Sequence, residues 1–106
     1  MHAAARQRFA RRAAALKALA HPVRLLLLEE LERGERCVCD LHELAGGDFS
    51  TVSKHLALLR RAGFVQSEKR GLQVYYRLRP VCLRRLLACI DDVSPAAGPR
   101  RKEVRK

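Results

Sequence analysis

Four cysteines carry the most versatile chemistry in this 106-residue chain. Cys37 and Cys39 lie two apart in Cys37-Val38-Cys39, and Cys82 and Cys89 lie seven apart nearer the C-terminal end. Thiolates are soft donors, so they select soft metal ions over Mg or Ca. A thiol near a helix start and beside a basic residue also suits redox chemistry, because the thiolate is the reactive form; Arg36 next to Cys37 is compatible with both. Within a regular helix, side chains two apart point about 200° from each other. Cys37 and Cys39 can therefore share one ion only if Cys37 lies at or before the start of a helix. Cys82 and Cys89, about two turns apart, fall on one helix face with Leu86. There they are either further ligands or packing residues of an interface. Thiols in a helix-rich chain do not read as a disulfide framework, so the cysteines are expected to be free in a reducing cytoplasm.

A second group is hydroxylic and basic. Ser50, Thr51, Ser53, Lys54 and His55 make the polar leading turn of an otherwise apolar-striped segment, and Lys69 and Arg70 precede Gly71 in a turn. Ser and Thr can donate to phosphates or base edges, and Lys54 and His55 can reach phosphates or acceptor atoms. Lys69 and Arg70 can neutralise backbone phosphates in a neighbouring groove. The overall charge agrees with a polyanionic partner: 22 Lys and Arg stand against 11 Asp and Glu, a formal +11. Residues 1–20 contribute +5, residues 94–106 contribute +4, and the middle of the chain only +2. That balance points to nucleic acid or an anionic surface. No apolar run approaches the ~18 residues of a membrane span, and no apolar h-region marks a signal peptide. The expectation is a cytoplasmic protein with no membrane partner.

The elements that must position these groups follow from periodicity. Residues 3–18 are rich in Ala, Arg and Leu and form a helix, with Phe9, Ala13, Leu16 and Ala20 at helical spacing. His21-Pro22 breaks it, and proline suits the first turn of a new helix running to about Arg33. The run Leu25-Leu26-Leu27-Leu28 is apolar on nearly all sides, which marks this helix as the buried central one. A short helix follows Cys37, with Asp40 and Glu43 at capping-box spacing, and ends at Gly46-Gly47. Asp48 or Ser50 caps the next helix, Ser50 to about Ala62, whose inner stripe is Val52, Leu56 and Leu59. From Phe64 the period becomes two. Strands at 64–68 and 73–79 flank a basic turn, with Val74, Tyr76 and Leu78 on one face. Pro80 opens a last helix, Val81 to about Val93. The fold class is mainly α with a small β-hairpin: four helices, a two-stranded wing and a C-terminal fifth helix. Residues 1–93 form one winged helix-turn-helix domain suited to DNA binding, and the resemblance given below implies that the same domain dimerises. Residues 94–106, basic and with nothing to bury, form a tail expected to be disordered.

These residues together resemble the ArsR/SmtB family of winged-helix metalloregulatory repressors. The resemblance covers about residues 14–90. It rests on Leu19-Ala20-His21-Pro22-Val23-Arg24, on Cys37-Val38-Cys39-Asp40-Leu41, and on Ser50-Thr51-Val52-Ser53-Lys54-His55-Leu56 continuing through Leu59. Ala62-Gly63-Phe64-Val65 and Lys69-Arg70-Gly71 with Val74-Tyr75-Tyr76-Arg77-Leu78 complete it. The resemblance implies a homodimer on an inverted-repeat operator in double-stranded DNA. It implies repression without any cofactor, and release when As(III) or another soft metal ion binds cysteine thiolates. By resemblance to the arsenic-responsive branch, Cys37 and Cys39 are the inducer ligands. The family's arsenic pattern continues to a third cysteine where this chain has His42. Cys82 or Cys89, from the same or the partner subunit, is then the candidate third thiolate. A zinc site on the last helix is disfavoured, because that helix offers Asp91 and Asp92 but no His. A thiol redox switch on the same fold is the alternative reading.

Other classes fit less well. A thiol enzyme lacks a Cys-X-X-Cys motif, and no Gly-rich phosphate loop is present, so the chain is read as a non-enzyme. With only 5% aromatic residues, recognition of single-stranded RNA is disfavoured against duplex DNA.

Overall fold

Helix α2 (Pro22–Leu31) begins where Pro22 can occupy the first turn without losing a hydrogen bond, and His21 caps it: the Val23 N–H donates to His21 Nδ1 at 3.1 Å. Its inner stripe, Leu27, Leu28 and Leu31, is almost wholly removed from water and forms the centre of the core. The computed structural model describes residues 1–79 and 82–93. Around α2 stand α1 (Ala3–Leu19), α3 (Val38–Ala45), α4 (Phe49–Arg61) and α5 (Leu83–Val93). An antiparallel sheet of β1 (Arg36–Cys37), β2 (Val65–Arg70) and β3 (Gln73–Leu78) closes the core in the order β1-β3-β2.

Helix α4 buries the stripe expected from its spacing, with Leu56 and Leu59 fully enclosed and Val52 nearly so. Leu41 of α3, Val65 of β2 and Tyr76 of β3 meet the same cluster. The hairpin alternates as its period predicts: Tyr76 is buried, Val74 and Leu78 pack partly against the core, and Gln73 and Arg77 face water. Its two-residue turn is made by Gly71-Leu72, with Arg70 paired to Gln73. Gly71 takes φ +62°, a left-handed conformation that costs a side-chain-bearing residue strain.

Several expectations need correction. The wing is not an isolated two-stranded ribbon. Arg36 and Cys37 add a third, very short strand by pairing with Tyr76 and Tyr75, and two residues are too few to show a period. Asp40 does not cap α3: Cys37 is the N-cap and Asp40 lies inside the first turn. The leucine run of α2 is not enclosed on all sides, since Leu26 is 37% exposed. In α1 only Ala18 and Leu19 are buried, whereas Phe9 and Leu16 face outward. Helix α5 is likewise two-faced, with Leu83 in the core and Ile90 and Val93 exposed. The expected opening of the last helix at Pro80 and Val81, and the expected disorder of residues 94–106, lie outside the described residues.

Candidate nucleic-acid interface and thiol site

Helix α3, the turn Gly46-Gly47 and helix α4 form the helix-turn-helix. Both glycines have φ +73°, which lets the chain reverse within two residues. His42 braces this turn. Its Nε2–H donates to the Gly47 carbonyl at 3.1 Å, and its ring lies 4.8 Å from that of Phe49 at the head of α4. His42, which stands where the family's arsenic pattern has a third cysteine, is thus engaged in holding two helices in register.

The leading turn of α4 is organised by Asp48, its N-cap residue. The hydroxyls of Ser50 and Thr51 donate to the same Asp48 carboxylate oxygen, at 2.7 and 3.1 Å. These hydroxyl bonds, the Ser50 bond foremost, lower the Asp48 pKa, and an anion at a helix N-terminus also meets the favourable end of the dipole. Lys54 is exposed, while Ser53 and His55 are half-buried. His55 packs on the cap of α2, with its ring centroid 4.3 Å from that of His21. Partial burial, followed by the neighbouring charges of His21 and Arg24, lowers the His55 pKa and favours the neutral ring. Of the five side chains expected on the recognition surface, Lys54 is the fully displayed cation, Ser50 and Thr51 are exposed with their hydroxyls pre-oriented, and Ser53 and His55 are partly withdrawn.

At the wing, Lys69 is exposed but Arg70 is not a free cation. Its guanidinium donates to both carboxylate oxygens of Glu35 at 2.8 and 2.7 Å, and to Glu68 at 2.9 Å, and it stacks over the Tyr75 ring at 4.7 Å. These bonds raise the Arg70 pKa and lower that of Glu68, whose carboxylate answers mainly to Arg70. Arg77 approaches the same two acids at 4.0 and 3.6 Å. Glu68 and Arg70 stand two apart on one strand face, a spacing visible in the sequence. Nothing in the sequence pairs Arg70 with Glu35.

The thiols occupy three places. Cys37, half-buried, is the N-cap of α3 with extended backbone (φ −78°, ψ 158°), and Cys39 is exposed in the first turn. The condition for a shared ion, Cys37 standing just outside the helix, is met. Cys82, exposed, lies one residue before α5 in a pocket of about 600 Å³ that it shares with Arg77, Arg79, Arg84 and Arg85. Cys89 is exposed on α5. Among the described residues, no three His, Cys, Asp or Glu side chains converge to hold a metal ion. Among the described residues, Cys82 and Cys89 do not join Cys37 and Cys39 in a three-donor cluster within the subunit.

Residues 21–67 match the model of the family described as bacterial regulatory protein, arsR family. A solved homodimeric winged helix-turn-helix DNA-binding domain from Mycobacterium bovis, described as a possible ArsR-family transcriptional regulator, superimposes with TM-score 0.73 at 30% identity. It covers 85% of this chain and 83% of that one. The chain belongs to the ArsR family. This family is one of transcriptional regulators, not enzymes. The transcriptional repressor BigR from Xylella fastidiosa matches this ArsR-family chain with TM-score 0.69 and 33% identity, over 85% of this chain and 93% of the other. The arsenical resistance operon repressor of Escherichia coli K12 is 48% identical over 67 residues, which are 60% of this chain and 56% of that protein. The match thus spans about half the length of the curated relatives. Among the described residues, no helix is long and apolar enough to cross a membrane.

Proposed function

We propose that this ArsR-family chain is a homodimeric transcriptional repressor. It binds an inverted-repeat operator in double-stranded DNA without a cofactor, and leaves it when a soft metal or metalloid such as As(III) binds its thiolates. The observation that carries the reading is Cys37 at the N-cap and Cys39 in the first turn of α3, the first helix of the helix-turn-helix. Two thiolates drawn onto one ion at that position alter the first turn of α3. Leu41, one turn on, is buried in the cluster that also holds Val52 and Leu56 of α4, so a change there is transmitted to α4 through packed side chains. Cys82 and Cys89 are the remaining thiols able to complete the site, from either subunit.

On the DNA side, Ser50, Thr51, Ser53, Lys54 and His55 enter the major groove, with half-sites about one helical turn apart. Lys69 and, once released from Glu35, Arg70 contact phosphates. Dimerisation through α1 and α5 accounts for the outward-facing Phe9, Leu16, Ile90 and Val93. A second reading, a thiol redox switch on the same fold, is favoured by the exposure of Cys39, Cys82 and Cys89.

Fluorescence anisotropy of an operator fragment tests both. The reduced protein, Cys37→Ser and Cys82→Ser are titrated with As(III), Cd(II) and Zn(II). Release by As(III) that requires Cys37 supports the metalloid sensor, and loss of release in the Cys82 variant identifies the third thiolate. Tight binding that no ion relieves, but that mild oxidation with an intramolecular disulfide abolishes, transfers the assignment to the redox switch.

A further inference from the structure

A pocket of about 500 Å³ lies where α1, α2 and α4 meet, lined by Lys17, Arg24 and Arg61 with Ala14, Leu58 and Ala62 among the apolar walls. No acidic residue lines it. Lys17, Arg24 and Arg61 are absent from every ion pair among the described residues, although five other arginines are paired. The Arg24 Nε is in addition buried without a hydrogen-bond partner. A buried, unpartnered guanidinium N–H is costly, and native structures satisfy such groups with protein, water or ligand.

Helix ends explain two of these cations but not the third. Lys17 and Arg61 lie in the last turns of α1 and α4, where the helix dipole favours positive charge. Arg24 lies in the first turn of α2, which contains no acidic residue and where the dipole opposes a cation. An anion in the pocket would offset that repulsion and meet the three cations together.

We propose that the pocket formed by Lys17, Arg24 and Arg61 binds a phosphate group, borne either by the DNA backbone or by a free phosphate-containing molecule. A tetrahedral oxyanion has enough acceptors to take hydrogen bonds from a guanidinium fork and two further cations at once. On α4 the site uses Leu58 and Arg61, past the Ser50–His55 leading turn, while Arg24 neighbours His55; its definition in the free protein does not rest on operator recognition.

The test uses the full chain. ¹⁵N–¹H spectra are recorded while inorganic phosphate replaces chloride at constant ionic strength. The expected result is saturable shifts of the Ala18, Arg24 and Ala62 amides. The Lys17→Gln/Arg61→Gln double variant, with its fold checked by circular dichroism, should weaken the apparent affinity at least about tenfold, as expected for losing two charge-assisted contacts. Arg24→Lys keeps the charge, removes the fork, and should also bind more weakly. Absence of saturable shifts, or equal shifts in the double variant, overturns the proposal and leaves the two cations as neutralisers of helix ends. A second arm identifies the source. If the double variant lowers the salt slope of duplex binding by about 0.9 per lost contact, the phosphate is that of DNA. If the slope is unchanged while inorganic phosphate no longer binds, the ligand is a free phosphate-bearing molecule. A lowered slope without any saturable phosphate shift reports only the general field of the cations and also overturns the pocket.

Discussion

Arg70 at the wing tip and Glu35 before β1 are joined by two hydrogen bonds, 2.8 and 2.7 Å, across 35 residues of chain. The pair ties the wing to the body of the domain and occupies a cation that the proposed operator complex would set against a DNA phosphate. Both side chains are partly exposed (45% and 32%), so solvent screens the pair and its contribution to stability is small.

Glu35→Gln should therefore change stability little while releasing Arg70 from one of its two acids for contact with DNA. Anisotropy titrations across a salt series should show tighter duplex binding and a slope steeper by about 0.9, the signature of one additional phosphate contact. An unchanged slope would mean that Arg70 does not reach the backbone.

Lys54, the exposed cation of the recognition turn, should carry a larger share. Lys54→Ala is expected to cost about 1–3 kcal/mol of specific operator binding, measured against a scrambled duplex under identical salt. An equal loss on both duplexes would reassign Lys54 to phosphate contact alone.

His55 sets a pH dependence. Its folded pKa is depressed below the ordinary 6.5, by partial burial first and then by His21 and Arg24. The unfolded chain therefore binds this proton more readily than the folded one. The stabilisation from keeping His55 neutral is present above pH 6.5 and is lost as pH falls through the folded pKa. Urea unfolding between pH 7.5 and 5 should show stability declining toward acid, with a shallower decline in His55→Gln; equal slopes would remove His55 as the cause.

Leu56 is fully enclosed between α2, α3 and the sheet-bearing core. Leu56→Ala should destabilise the fold by about 2–5 kcal/mol, through lost burial and the cavity left behind. Equilibrium denaturation would reveal a loss below about 1 kcal/mol if the neighbouring side chains collapsed into the space.

Ile90 is 48% exposed and shares a groove with Leu26 and Leu87. If α5 forms the subunit interface, Ile90→Glu should give a monomer in analytical ultracentrifugation at concentrations where the parent chain is a dimer, and should weaken operator binding with it. A variant that remains dimeric would move the interface elsewhere.

Much of this architecture was legible in the order of the residues. The 3.6-residue stripe of Val52, Leu56 and Leu59, the alternation of Val74, Tyr76 and Leu78, and Pro22 after His21 report local backbone preferences and burial. Such signals act over one or two turns of chain, and they survive folding because the core only reinforces them. The same locality explains why Cys37 could be required at a helix start from spacing alone. The errors were also local: a two-residue strand offers no period, and capping-box spacing at Asp40 and Glu43 did not compete with Cys37 as the cap.

What the residues determined by themselves is therefore the elements, their order, and which side chains have chemistry to offer. Tertiary structure decided which of those side chains remain available. It engaged Arg70 with Glu35, set His55 against His21, and made His42 a brace for the turn. It also separated Cys82 and Cys89 from a three-donor cluster with Cys37 and Cys39, and gathered Lys17, Arg24 and Arg61 from three helices into one pocket. The physical reason is range. Periodicity and capping are written by neighbours in the chain, whereas ion pairs, ring contacts and shared pockets depend on where α1, α2, α4 and the wing come to rest around a common apolar core.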